Sequence, residues 1–395
     1  MSDPLSYLGE QLAAWRKAGT YQPLRVLESE SAPDSRFDGH DVINLASNNY
    51  LGLTTHPKLR EAALEATRKY GVGSGAVRTI SGTMSIHMEL EERIARFKNV
   101  EASVVFQSGF AANAGTVSAI LGPEDHIISD ELNHASIIDG CRLSRAKIHV
   151  FPHKDAAAAG KILAGLAETP GHKLLITDGV FSMDGDIAPL PALVEIAEQH
   201  GAIMMVDDAH SSGVLGRAGR GTIDHFQLHG RVHIQVGTLS KAIGVLGGYV
   251  CGSRNLIDFL YARARPFLFS TSHPPSVAAS CLAAFDVLEN EPALIENLWT
   301  NTRYFKGALA AAGFDTGVSE TPITPIMVGE ARRAHEFSRA LFEEGLLATG
   351  IGFPTVAEGK ARVRTIVTAT HTRQQLDRAL DILSHVGKRM GIIKV

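Results

Sequence analysis

Cysteine is scarce in this chain. Cys141, Cys251 and Cys281 are the three found among 395 residues, and they are scattered. Such a set builds neither a disulfide framework nor a thiolate metal site, and it fits a reducing compartment. An excess of positive charge is also missing: 38 Lys and Arg against 42 Asp and Glu leave a formal net charge of -4. A nucleic-acid or anionic-membrane partner needs a basic field, so neither partner is expected. No apolar run approaches the length of a bilayer span. The opening MSDPLSYLGEQ lacks the charged start and apolar stretch of a signal peptide. Together these absences predict a cytoplasmic protein. What is plentiful is apolar residues, 45% of the chain, ample for one large α/β unit or for more than one domain.

Local pattern divides the chain. Residues Leu5 to Lys17 read as an amphipathic helix ended by Gly19, and Tyr21 to His40 as an irregular polar segment leading into a short strand, DVINLA. A helix over Lys58 to Tyr70 stops at the glycine cluster GVGSG. Apolar, β-branched runs then recur: ASVVFQ, HIIS, KIHVF, LLIT, AIMMVD, VHIQVG and GGYVCG. Helical stretches separate most of them, including Met88 to Phe97, Asp155 to Ala167 and Leu193 to His200. Buried strands alternating with helices predict a largely parallel sheet covered on both faces. After about Pro274 come a long helical region, Ser276 to Ala312, the segment TPITPIMVGE, a helix near Ala334 to Glu344, a strand ARVRTIVTA and a last helix near Gln374 to Met390. The expected division is an N-terminal helix and arm over 1–45, a large domain over 46–285 and a small α+β domain over 286–395.

Ligands of open α/β sheets bind at the carboxyl ends of the strands. The polar residues that follow the apolar runs are therefore the candidates. AIMMVDDAH places Asp207, Asp208 and His210 past one strand; LLITDGVFSMDGD places Asp178, Ser182 and Asp184 past another; VHIQVGTLSKA places Thr238, Ser240 and Lys241 past a third. ASVVFQSGFAAN puts Ser108, Gly109 and Phe110 at a strand-to-helix turn whose N–H groups can hold a phosphate. A Schiff-base lysine, a carboxylate for a pyridinium nitrogen and a phosphate cup are what pyridoxal 5′-phosphate (PLP) requires. Lys241 and Asp207 are the candidates for the first two. Thr238 and the Ser108-Gly109-Phe110 turn would take the phosphate, and Ser182 and His210 the phenolic oxygen. Each residue also has a plainer reading: Lys241 as a solvated cap, Asp207 or Asp208 as a helix N-cap, His210 as a core histidine. The combination favours the cofactor.

VDDAHSSGVLG, TDGVFSMDGDIAPL, TLSKA and SDELNHASIIDG resemble the motifs of the α-oxoamine synthases, and the similarity runs from SNNYLGLTTHP near Ser47 to GKRMGII near Gly387. The resemblance implies the PLP-dependent transferase fold type I: a large, mainly parallel-sheet domain with a smaller α+β C-terminal domain. It implies condensation of an amino acid with an acyl-CoA. It also implies that Lys241 carries PLP and, once freed, removes the substrate α-proton, and that His134 of NHASIID stacks on the pyridine ring. Asn48 and Arg364 would hold the amino-acid carboxylate. Thr271 of FSTSHPP would reach the phosphate of a neighbouring subunit, in a homodimer with active sites at its interface. Arg362 shares the strand face of Arg364, which leaves a plain surface arginine as the alternative reading for one of the two; the motif favours Arg364 for the substrate. The texture of SDELNHASIIDGCRLSRAK and GRVHIQVGTLSKA resembles the glycine C-acetyltransferase branch, implying glycine and acetyl-CoA. GVGSGAVRTISGT and FSTSHPP are closer to the 8-amino-7-oxononanoate synthase branch, implying alanine and pimeloyl-CoA with decarboxylation.

Other signals carry less. GVGSGA lacks the preceding strand of a dinucleotide fingerprint and reads as a loop near the active site. His225, His229 and His233 are four apart, but Gly230 and a following strand interrupt any helix, no carboxylate partner is evident and no metal is expected. FPHKD reads as surface chemistry, Glu91 and Glu92 as a solvated helix face, and Met183, Met204 and Met205 as core.

Overall fold

The computed structural model describes residues 3–394. The chain divides into two compact units, one of Asn49–Ser182 with Asp186–Glu296, the other of Met1–Asn48, Met183–Gly185 and Asn297–Val395.

The larger unit is built on seven strands: β1 (Ala102–Phe106), β2 (His126–Asp130), β3 (Lys147–Phe151), β4 (Lys173–Asp178), β5 (Ile203–Asp207), β6 (Ile234–Thr238) and β7 (Gly248–Gly252). Their order is β1-β7-β6-β5-β4-β2-β3. β2 through β6 pair in parallel, and β7 runs antiparallel to both β6 and β1. β1 therefore points the same way as β2–β6. Every apolar run singled out in the sequence is one of these strands. The alternation within them is visible in the two cores. Ile127, Leu174, Ile176, Met205 and Val236 pack on one face of the sheet, and Ile128, Leu175, Met204 and Val206 on the other. Both faces are covered, as strands without a polar side demand.

The smaller unit holds the antiparallel set Ile323–Gly329, Ala361–Ile366 and Thr349–Ile351. A core including Phe305, Phe337, Val363, Leu376 and Leu383 packs between its strands and helices. The end of the N-terminal stretch joins the smaller unit's core: the strand His40–Asn44 pairs in parallel with Leu346–Leu347, and the Ile366 N–H donates to the Leu45 carbonyl. Conversely, 286–296 belongs with the larger unit. The segment before His40 is more ordered than its polarity suggested. Asp34–Phe37 forms a hairpin with His40–Asn44. Its turn is Asp38-Gly39, with φ of 49° and 80°, the left-handed pair that an Asp-Gly hairpin turn uses. The long helical region after Pro274 is two helices, Pro275–Asn290 and Ala293–Ala311, interrupted at Glu291-Pro292. No helix among the described residues is long and apolar enough to cross a membrane.

Candidate active site

Because β1, β2, β4, β5 and β6 share a direction, their carboxyl ends gather side chains from distant stretches of sequence. A cavity of about 220 Å³ there is lined by Ser108, Gly109, Phe110, His134, Ser182, Asp207, His210, Thr238 and Lys241, with Ser136, Asp178 and Ser240. Nine of the expected site residues thus meet in one pocket.

The floor is carboxylate. Asp207 ends β5, where Oδ1 accepts the Ala209 N–H at 2.8 Å and Oδ2 accepts Asn113 Nδ2 at 2.6 Å. Asn113 sits on the helix Gly109–Ile120, fully buried. Its amide also donates to Ser136 Oγ at 2.9 Å, and that hydroxyl lies 2.7 Å from His134 Nδ1. One amide therefore links the acid to the imidazole. Asp178, at the end of β4, accepts the His134 N–H at 2.8 Å. Burial, and then the charge of Asp207, push the Asp178 carboxyl well above the usual carboxylate range. Burial also pulls the His134 imidazole down, which Lys241 reinforces and Asp207 opposes. A neutral, flat ring is suited to stacking on an aromatic cofactor.

At the other end of the pocket, Ser108 caps the helix Gly109–Ile120 by accepting the Ala111 N–H at 3.0 Å. The twelve-residue helix directs its positive end into the cavity. A side chain at Gly109 would sit 3.5 Å from Thr238 Cβ, so the turn and the end of β6 are close enough to grip one anion. Thr238 Oγ1 donates to the Gly247 carbonyl at 2.9 Å. His210 Nδ1 lies 2.7 Å from the Tyr50 hydroxyl. An amine, a carboxylate, a flat imidazole and a helix N-terminus around one cavity are a donor set that fits PLP.

Three expected residues are not in this lining. Thr271 is exposed, bridges Val77 and accepts Gln107 Nε2 at its carbonyl. Asn48 and Arg364 lie in the smaller unit, where Arg364 Nη2 donates to Asn48 Oδ1 at 2.7 Å. Arg362, beside it, is not a surface residue: it is 4% exposed and engages Asp184 and the Met183 carbonyl.

Several quieter readings also change. Asp208 pairs with Lys98 and also accepts the N–H of Thr222, which opens the short helix Thr222–His225. Glu91 is 3% exposed, held by Arg78, Tyr261 and the Val105 N–H, not solvated. His153 of FPHKD bridges the buried Asp130 and Asp186. His229 does have a carboxylate, Asp224, at 2.9 Å, and among the described residues no cluster of three or more His, Cys, Asp or Glu side chains suits a metal. Asn113, Ser136 and Tyr50 were not singled out. Asn113 left a signal, a lone amide in the otherwise apolar helix GFAANAGTVSAI, because a buried amide must find partners.

The sequence and fold have close counterparts. Residues 40–383 match the family described as "Aminotransferase class I and II". The 8-amino-7-oxononanoate synthase of Symbiobacterium thermophilum is 60% identical over 390 residues, covering 98% of this chain and 99% of that protein. 8-Amino-7-oxononanoate synthase 1 of Bacillus subtilis is 53% identical over 393 residues, covering both chains fully. Among solved structures, a serine palmitoyltransferase of S. paucimobilis with PLP and myriocin bound superposes with a TM-score of 0.94 at 33% identity, over 99% of this chain and 100% of that one. Matched over nearly its whole length in both sequence and fold, this chain belongs to the α-oxoamine synthase family of PLP-dependent enzymes.

Proposed function

We propose that this protein is an 8-amino-7-oxononanoate synthase, condensing alanine with pimeloyl-CoA and releasing coenzyme A and carbon dioxide. The coarser reaction, PLP-dependent condensation of an amino acid with an acyl-CoA, follows from the family. The observation that carries the finer reading is the 60% identity, end to end, with an enzyme of that name. Motif texture had favoured glycine and acetyl-CoA; the full-length relatives support the alternative instead.

PLP supplies an electron-withdrawing ring that stabilises negative charge at the substrate α-carbon. The protein's residues supply the rest. Asp207 would hold the proton on the pyridine nitrogen, its own position fixed by Asn113 and the Ala209 N–H. His134 would cover the ring face. The Ser108-Gly109-Phe110 turn and Thr238 would take the phosphate, and Ser182 and His210 the phenolic oxygen. The Lys241 amine would anchor the cofactor and, once displaced by the amino acid, serve as general base for the α-proton. Arg364 offers a planar fork to the amino-acid carboxylate, with Asn48 beside it. Thr271 reaches the phosphate of a second copy, which makes the working form a homodimer.

Coenzyme A release measured over a grid of amino acids and acyl-chain lengths tests this reading. Alanine with pimeloyl-CoA should exceed glycine with acetyl-CoA by roughly tenfold or more in kcat/KM, with carbon dioxide evolved. The opposite ranking overturns the assignment. In the same assay Arg364→Ala should raise the amino-acid KM while PLP stays bound; an unchanged KM removes Arg364 from the carboxylate site.

A further inference from the structure

Asp207 and Asp208 are successive residues at the end of β5, and successive side chains leave a strand on opposite faces. Asp207 enters the pocket. Asp208 enters a closed interior where neither it nor Lys98 has any exposed side-chain surface. Lys98 is the last residue of the helix Ser85–Lys98. Its Nζ donates to Asp208 Oδ2 at 3.1 Å, to Ser212 Oγ at 2.8 Å and to the Arg220 carbonyl at 2.7 Å. An ammonium has three N–H groups, so these acceptors use all of them.

Asp208 is equally committed. It accepts from the Ser211 hydroxyl and from both the hydroxyl and the N–H of Thr222. The cage has no slack. A Cβ on Gly221, whose φ is +101°, would overlap Asp208 Oδ2 and come within 2.9 Å of Lys98 Nζ; one on Gly179 would come within 2.7 Å of Asp208 Oδ1. Ser212 Oγ lies 2.8 Å from the Tyr249 hydroxyl, and the Tyr249 ring fills the space over Gly237, next to Thr238. The ammonium thus fastens the turn 208–212, which carries His210, to the segment 220–222.

A fully buried ion pair contributes little net stability, because desolvation offsets the attraction. Its placement behind the pocket points to a different use. We propose that Lys98 is a positioning residue for the cofactor site: it balances the charge of Asp208 and clamps the 208–212 turn, so that Asp207 stays directed into the pocket and His210 stays in reach. This rests on the reading of Asp207 and His210 as cofactor contacts. Asp178, His134, His210 and Lys241 surround Asp207 in the pocket, and Tyr249 and Cys251 flank Lys98 from β7. Asp208 adjoins Asp207 on the interior side, and Lys98 compensates its charge. Burial alone would push the Lys98 amine down; the Tyr249 and Asp208 side chains hold it up.

Lys98→Met and the double variant Lys98→Met/Asp208→Asn test the proposal, the second because it leaves no uncompensated charge and should fold even where the first does not. Each apoprotein is titrated with PLP and melted. Each PLP-loaded protein is titrated with pH by its visible absorption and assayed for kcat and KM. Both variants lose the clamp and should bind PLP roughly tenfold more weakly and lose about tenfold in kcat with acyl-CoA KM changed less than about twofold; Lys98→Met, which leaves Asp208 unbalanced, should in addition show a displaced pH midpoint of the visible band. The double variant should recover the melting temperature and the pH midpoint without recovering PLP affinity or kcat. Wild-type PLP affinity in either variant overturns the proposal, as does a double variant in which kcat recovers together with stability. Asp207→Asn is run in parallel: if it too leaves PLP affinity and the visible titration unchanged, it is the role of Asp207 that has failed, and the clamp fails with it.

Discussion

At the carboxyl ends of β4 and β5 two carboxylates, Asp178 and Asp207, line one pocket; at the helix Ser85–Lys98 a single carboxylate, Glu91, is wrapped by donors. Both clusters are buried in the larger unit, and both are made of ordinary residues. Their charge balance differs. Glu91 Oε1 accepts from Arg78 Nη1 and the Val105 N–H, and Oε2 from Arg78 Nη2 and the Tyr261 hydroxyl. A planar guanidinium meets it edge to edge, so charge and hydrogen bonds close locally. Asp178 instead faces Asp207, a like charge, which together with burial raises its proton affinity. A carboxyl perturbed by a like charge at the wall of a cavity is a candidate for chemistry. A cluster that is complete in itself holds the fold together, and one completed by a cofactor with a pyridinium at one end and a phosphate at the other holds a site.

The sharpest break of this comparison is to neutralise one acid on each side. Asp207→Asn should lower kcat by about 10² to 10³-fold, with a small change in unfolding free energy. Glu91→Gln should do the reverse: it leaves the buried Arg78 unbalanced and costs roughly 3–5 kcal/mol, while kcat per folded, PLP-loaded molecule stays near wild type. Urea unfolding and active-site titration of both variants separate the two outcomes. Equal stability losses with equal kcat losses would abolish the distinction.

The same contrast explains what the sequence made legible. The seven strands and eight of the nine pocket residues could be found because each strand is a local apolar run and each of those residues follows one closely; His134 came from the resemblance of NHASIID to the family motif. Strand polarity did the assembly, since residues after parallel strands must converge. Glu91 could not be read this way. In SIHMELEERIARFK it sits among charges that look like a solvated face, and what buries it is Arg78, thirteen residues away, with Tyr261 far beyond. Lys98 is the same case, its partner lying 110 residues on. Asp38-Gly39 is different. Its turn chemistry was present locally, and the hairpin was hidden only by the polarity of the strand before it. Branch assignment lay beyond both kinds of reading, because motifs shared across a family report its common chemistry rather than acyl length.

His153 sharpens the comparison on the structural side, with the smallest expected effect. The sequence FPHKD suggested a surface histidine. Its Nδ1 instead lies 3.1 Å from Asp130 Oδ1 and its Nε2 2.9 Å from Asp186 Oδ2, with 22% of the side chain exposed. Burial pulls the imidazole down, but the hydrogen bonds and charges of the two aspartates outweigh it and raise the group to about 9. A histidine raised on folding stabilises the protein fully below its unfolded value near 6.5, and that contribution fades as pH climbs through about 9. The interval is worth about 2–3 kcal/mol once partial exposure is discounted. His153→Gln, which keeps a hydrogen-bonding side chain but no charge, should therefore unfold at lower urea than wild type at pH 6. The gap should narrow at pH 8.5 and close by about pH 10. A gap independent of pH would make His153 a packing residue against Phe181, whose ring it meets edge-on at 4.3 Å, and would leave Lys154, 3.1 Å from Asp186, as the cation that balances the aspartates.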